Sequence, residues 1–290
     1  MTNMDAERLK VVENIKAALE EGDSFKKVEL GDPKITDEDV KRVVEPFDTL
    51  RKKPKSKLLS FIARIIAERE TKKRNTLTKI SGLENAEDIE GGAIITCNHF
   101  NFMDNTIPRL LAMKLGRKRK FYIVVQERNV FMTGFFGFLM RNCNTLPVSR
   151  SASYMAKNLK PAIKKLLEDG CFILIFPEQE MWFNYKKPRA LRDGAYHYAA
   201  EFGVPIIPCF IEMQNTDKVG ADGFFEVEHT LHVMPKITPD SALSVRENRE
   251  TMLANDKEAK RSCYEKVYGI PLDENFIPER DIAGYRKPQD

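Results

Sequence analysis

Apolar residues recur at helical spacing from the start of the chain. Leu9, Val12, Ile15 and Leu19 share one face, which predicts a helix over residues 5–21. A turn is expected at Asp32 and Pro33. Thr36, followed by Asp37, Glu38 and Asp39, reads as an N-cap with acids in the first turn of a second helix, which Pro46 should end. Over residues 57–74, Leu58, Leu59, Ile62, Ile65 and Ile66 form an apolar stripe beside basic side chains. Such a helix either docks on a core or lies at a membrane surface, and docking is the preferred reading.

The rhythm changes after Gly91 and Gly92. Short apolar runs predict strands over 93–97, 121–125, 145–148, 171–176, 204–212 and 226–234. Between them lie helical stretches over 105–115, 154–168 and 191–202, the last two closed by Gly170 and Gly203. A charged helix over 241–267 and a Pro-containing tail follow. This alternation predicts an α/β fold, a mixed sheet flanked by helices with an N-terminal helical region. Three regions are expected: a helical one over 1–89, the α/β domain over 90–240, and a C-terminal helix and tail over 241–290.

Composition narrows the class. The chain has 290 residues, 42% hydrophobic and 31% charged, as a packed globular protein does. The uncharged stretch over 129–140, apart from its glycines, is far shorter than the roughly 20 apolar residues a spanning helix needs. The N-terminus carries no basic-then-apolar leader, so export is not indicated and a cytoplasmic setting is expected. The five cysteines are scattered without a Cys-x-x-Cys pair, and there are four histidines. Reduced thiols are therefore expected, and neither a disulfide framework nor a metal site.

Net charge is only +4, but it is unevenly placed. Eleven Lys or Arg lie between Arg51 and Lys79, against Glu68 and Glu70. A second cluster holds Lys114, Arg117, Lys118, Arg119 and Lys120. Such patches are either solvated faces or sites for anionic partners. No RNA-binding sheet motif or recognition helix accompanies them, so nucleic acid is not an expected partner.

Three predicted strand ends carry chemistry, since reactive groups in open α/β sheets collect beyond the carboxyl ends of strands. The strand at 93–97 runs into Asn98-His99, with Asp104 five residues on. An Asp bonded to one ring nitrogen fixes the tautomer and frees the other nitrogen as a base. The alternative is that Asp104 caps the helix over 105–115 and His99 is structural. The strand at 171–176 ends in Pro177 and Glu178, a carboxylate that meets either substrate hydroxyls or solvent. The strand at 145–148 leads to Arg150, whose planar fork suits phosphate, a surface salt bridge or a helix start.

Taken in order, Asn98-His99 to Asp104, Arg150, Phe176-Pro177-Glu178 and Val204-Pro205-Ile206-Ile207-Pro208 resemble the four blocks of the glycerolipid acyltransferase family, which includes the 1-acylglycerol-3-phosphate acyltransferases. The segment Leu191-Arg192-Asp193-Gly194-Ala195 is similar to the family's Lys/Arg-x-Gly-Ala helix. The resemblance covers residues 90–235. It implies His99 and Asp104 as the catalytic pair, with His99 deprotonating an acceptor hydroxyl that attacks a thioester. Arg150 would hold the acceptor phosphate and Glu178 its glycerol portion. No cofactor or metal is implied; acyl-coenzyme A or acyl carrier protein is the co-substrate, and a lysophospholipid the acceptor. Glycerol 3-phosphate, a non-phosphate lipid acceptor and a catalytically silent lipid-binding protein are the alternatives. Phe131, Phe135, Phe136, Phe138, Leu139 and Met140 would line an acyl groove, meet a membrane, or form an ordinary buried helix. Where the family has Gly after the Glu, this chain has Gln179, followed by Glu180-Met181 instead of Thr-Arg. The basic, apolar N-terminal region implies peripheral association with an anionic membrane surface.

Overall fold

The computed structural model describes residues 3–31, 33–45, 47, 51–117 and 120–287. Asp32, Pro46, Lys118 and Arg119, on which a turn, a helix end and part of the second basic cluster rest, lie outside the described residues. Among the described residues, seven strands form one mixed sheet: β1 (Lys79–Ser81), β2 (Ala93–Thr96), β3 (Phe121–Gln126), β4 (Thr145–Val148), β5 (Phe172–Ile175), β6 (Ile206–Val219) and β7 (Phe225–Val233). Their order is β1-β7-β6-β2-β5-β3-β4. The five strands from β4 to β6 run parallel, β7 returns antiparallel to β6, and β1 runs parallel to β7. β1 is a strand inside the region read from sequence as helical. It is only three residues long, too short to show an alternating pattern.

The longer helices are α1 (Asn3–Glu20), α2 (Pro54–Arg74), α3 (Thr106–Lys114), α4 (Gly134–Asn142), α5 (Lys160–Glu168), α6 (Gly194–Phe202) and α7 (Val245–Tyr268). β2 and β5 are buried on both faces, which is why they read as unbroken apolar runs. Ala93, Ile95, Phe172 and Leu174 join α3 on one side of the sheet, and Ile94 and Ile173 join α5 and α6 on the other. Gly203 closes α6 in the left-handed conformation, at φ +67°.

Three departures from the expected elements have local causes. The helix over 154–168 has a π-helical stretch, Met155–Leu159, before α5 begins. Pro161 lacks the N–H that an unbroken α-helix would need there. α7 starts at Ser244 because a reciprocal capping box joins Ser244 and Glu247. α2 docks on the core, but through Ser60, Ala63, Ala67 and Thr71, while Leu58, Phe61 and Ile62 face outward. Small residues at helical spacing let α2 approach α3 and α4 closely, and its large apolar residues are left for another surface. Among the described residues, no helix is long and apolar enough to cross a membrane.

Both flanking regions are built into the domain. α1 packs its Val11, Val12, Ile15 and Ala18 face against Trp182, Phe183, Tyr185 and Ile282. α7 is tied to β2 by a fully buried polar cluster. Thr96 Oγ1 donates to Asp256 Oδ2 at 2.7 Å, Tyr196 Oη donates to the same oxygen at 2.5 Å, and Lys260 Nζ donates to Thr96 Oγ1 at 2.9 Å and pairs with Asp256. Removing one member of a buried pair strands the other charge. Lys260→Met is therefore expected to lower the unfolding free energy by about 3–5 kcal/mol in denaturant titrations. The double variant Asp256→Asn/Lys260→Met should recover part of that loss.

Candidate active site

The chain leaves β2 through Cys97 and Asn98. The Asn98 side chain pairs reciprocally with the backbone of β6: Nδ2 donates to Ile211 O at 3.1 Å, and Ile211 N donates to Oδ1 at 2.8 Å. This buried amide fixes the start of the loop, so His99 leaves from a defined point. His99 Nδ1 lies 2.7 Å from Asp104 Oδ2, which also accepts the backbone N–H groups of Phe100 at 2.9 Å and Asn101 at 3.2 Å. Asp104 thus turns back toward His99 rather than forward onto α3. Asn105 occupies the N-cap position of α3 and gives no side-chain cap bond. Of the two readings of Asp104, the structure adopts the imidazole partner.

Asp104 is 2% exposed, whereas the His99 side chain remains 21% exposed. A carboxylate at Nδ1 selects the tautomer with Nδ1–H and leaves Nε2 as the acceptor. The imidazole is stacked on Phe176, with centroids 4.1 Å apart and planes at 13°. One ring nitrogen is therefore anchored, the plane is fixed, and Nε2 makes no hydrogen bond to any described residue.

Phe176 and Glu178 come from the end of β5, the neighbour of β2. Glu178 is 2% exposed and turned inward, not presented to solvent. Its Oε2 accepts the backbone N–H of His99 at 3.2 Å and pairs with Arg189 Nη2 at 3.0 Å, and its Oε1 accepts Arg189 N at 3.1 Å. Arg189 spreads over Trp182, 4.5 Å from the ring centroid, and donates to Ser24 O at 2.9 Å and to Glu180 O. Trp182 N donates to His99 O at 3.1 Å, and Trp182 Nε1 to Lys26 O at 2.9 Å. The segment that departs from the family pattern after Glu178 is therefore the wall behind His99. Gln179 sits at φ +62°, in the left-handed region that costs any residue with a Cβ. The backbone keeps the turn that a glycine would make, since Gln179 N donates to Phe176 O at 3.1 Å.

Arg150 stands apart from these residues. β4 and β2 are separated by β3 and β5, so their ends lie about 14 Å apart at ordinary strand spacing. Its Nε donates to Glu127 Oε1 at 2.9 Å and its Nη1 lies 3.1 Å from Asp37 Oδ1, with 53% of the side chain exposed. The structure thus brings His99, Asp104 and Glu178 together and leaves Arg150 further along the same edge, held by carboxylates. Sequence reasoning missed Arg189, which lies in a basic run with no distinguishing spacing, and His229 on β7. His229 stacks on Phe100 at 5.4 Å, and burial holds its pKa down to about 4 against the opposing pull of Asp104. Among the described residues, no group of His, Cys, Asp or Glu could hold a metal ion.

Residues 77–212 match the family model described as Acyltransferase. Compared with solved structures, the chain is similar to the crystal structure of the 1-acyl-sn-glycerophosphate (LPA) acyltransferase, PlsC, from Thermotoga maritima. The TM-score is 0.51 at 16% sequence identity, covering 92% of this chain and 97% of that one. No curated protein matches the chain by sequence.

Gln179→Gly should relieve the left-handed strain and raise thermal stability by about 1 kcal/mol, read in melting curves. His229 carries a pH dependence. Its folded pKa of about 4 lies below its usual value of 6.5, so the unfolded chain binds the extra proton between these values. Stability from this group is complete above about pH 6.5 and is lost as pH falls toward 4, by at most about 3 kcal/mol. Denaturant titrations from pH 7 to 4 on the protein and on His229→Phe should show a smaller acid loss in the variant.

Proposed function

Because the chain belongs to the glycerolipid acyltransferase family, we propose that it moves a fatty acyl group from a thioester donor, acyl-coenzyme A or acyl carrier protein, to the free hydroxyl of lysophosphatidic acid or a related lysolipid. The observation that carries this reading is the anchored imidazole: Nδ1 on a buried carboxylate, the ring on Phe176, and Nε2 unengaged at the sheet edge. Nε2 takes the proton of the acceptor hydroxyl as its oxygen attacks the thioester carbonyl carbon. The C–O bond forms, the C–S bond breaks, and the proton passes from His99 to the departing thiolate. Asp104 stabilises the imidazolium that forms in between. Glu178 acts as a positioning residue through its bond to the His99 backbone and its pair with Arg189.

The acceptor lies along the sheet edge, its hydroxyl at His99 and its phosphate toward Arg150, across the ends of β5 and β3. For Arg150 to take a phosphate it must leave Glu127 and Asp37. That pairing favours, as a second reading, an acceptor without a phosphate. The outward face of α2, with Leu58, Phe61 and Ile62 beside Lys55 and Lys57, meets an anionic bilayer from which the lipid enters.

Thiol release with purified protein, acyl-coenzyme A or acyl carrier protein, and a panel of phosphate and non-phosphate acceptors tests the reading. Release should require an acceptor and fall by roughly 10²–10⁴-fold in His99→Ala. Acceptor-dependent release undiminished in His99→Ala would remove the proposed base. Arg150→Ala should raise KM for phosphate-bearing acceptors alone, and an unchanged KM assigns the phosphate elsewhere.

A further inference from the structure

The cations in the loops beyond β2, β5, β3 and β4 are all engaged. Arg189 pairs with Glu178 at 3.0 Å. Arg128, just past β3, donates from Nη2 to Glu180 Oε1 at 2.7 Å. Arg150, just past β4, pairs with Glu127 and Asp37. In the loop after β5, Lys187 is buried against Asp273 and Asp281, Lys186 lies over Tyr268, and Arg192 lies over Phe25, 3.8 Å from the ring centroid. Among the described residues, these loops therefore hold no cation that waits unengaged for a phosphate.

Glu180 is central to this arrangement. β3 is two strands from β2 and β4 is three, so Arg128 is nearer to His99 than Arg150 is. The carboxylate that occupies Arg128 is fixed from two sides. Gln126 Nε2 also donates to Glu180 Oε1, at 2.9 Å, and Gln126 Oε1 accepts Arg128 Nε. Its backbone is fixed as well: Glu180 O accepts Arg189 Nη2, and Trp182 N, two residues on, donates to His99 O at 3.1 Å. Glu180 also stands in the stretch where this chain departs from the family pattern. Its Oε2 makes no hydrogen bond to a described residue. A phosphate moving out from His99 along the edge would meet the charges of Glu180 and Glu127 on arginines already neutralised. A hydroxyl meets no such repulsion and can donate to Glu180 Oε2.

We propose that Glu180 selects the acceptor: it holds Arg128 closed against phosphate and accepts a hydroxyl of a lysolipid with a neutral polyol head, such as a monoacylglycerol. Within the acyl-transfer reading on which this rests, the acceptor without a phosphate is then the preferred one. His99 takes the proton of one hydroxyl while Glu180 holds a second.

Two ethers serve as probes, 1-O-octylglycerol and its 3-phosphate, neither of which can shift an acyl group between oxygens. Calorimetric titration of the purified full chain without a thioester donor reads head-group preference alone, and thiol release with a donor reads turnover. The glycerol ether should bind at least about tenfold more tightly than its phosphate. Glu180→Gln, which keeps the shape of the side chain and removes its charge, should strengthen phosphate binding at least about tenfold, and Arg128→Met in that background should take the gain away. Equal or tighter binding of the phosphate by the unaltered protein, binding of neither ether, a phosphate affinity unmoved by Glu180→Gln, or a gain that survives Arg128→Met would overturn the proposal. A neutral preference without thiol release from any acceptor would remove the acyl-transfer reading and leave selection by Glu180 standing. Should Glu180→Gln fail to fold, the ratio in the unaltered protein and its increase in Arg128→Met, where Glu180 loses its arginine, still decide it.

Discussion

The site depends on the register between β2 and β5. The two strands are parallel neighbours with Thr96 opposite Ile175. His99 lies three residues beyond the first and Glu178 three beyond the second, so both leave the sheet at one level. Two chain segments about 80 residues apart in sequence thus deliver an imidazole and a carboxylate to one place. A one-residue slip would exchange the side chains that meet α3 with those that meet α5 and α6, and would separate the two groups as well.

Each charged group at this edge has a different means of remaining in a poorly solvated place. Asp104 is held by two backbone N–H groups and the imidazole. Glu178 relies on Arg189, which also donates to Ser24, and the adjoining Trp182 is held by Lys26. Those last two partners lie outside residues 77–212, the part that matches the family model. The wall behind the imidazole is thus shared between the matched domain and the N-terminal segment that precedes it. The change from glycine to Gln179 is accommodated in the same way: the turn persists, with its strain held by the surrounding bonds.

Much of this was legible beforehand. The alternation of apolar runs with helical stretches located β2 to β7, because each of those strands is long enough or buried enough to leave a pattern. The Asn98-His99 to Asp104 spacing pointed to the imidazole pair, although the carboxylate's direction depended on backbone geometry that spacing does not encode. Glu178 and Arg150 were found as residues but not as environments. Burial of Glu178 needs Arg189 and Trp182 from a loop without periodicity, and the partners of Arg150 come from Asp37 and Glu127, remote in sequence. β1 was missed because its three residues gain their strand identity from β7. The docking face of α2 was misjudged because small residues carry it, and a count of large apolar side chains selects the opposite face.

The buried cluster beneath β2 has a consequence for the order in which the protein is made. Thr96 meets Asp256 and Lys260 across some 160 residues, and β2 itself waits for β5 and β6. Contacts so distant along the chain form late and slowly, because loop closure precedes any gain from packing. During synthesis the segment bearing His99 emerges long before the helix that covers its supporting strand. The nascent chain therefore passes through a stage in which β2 is apolar, unpaired on both edges and exposed. In that interval the protein is most open to aggregation and most in need of a chaperone.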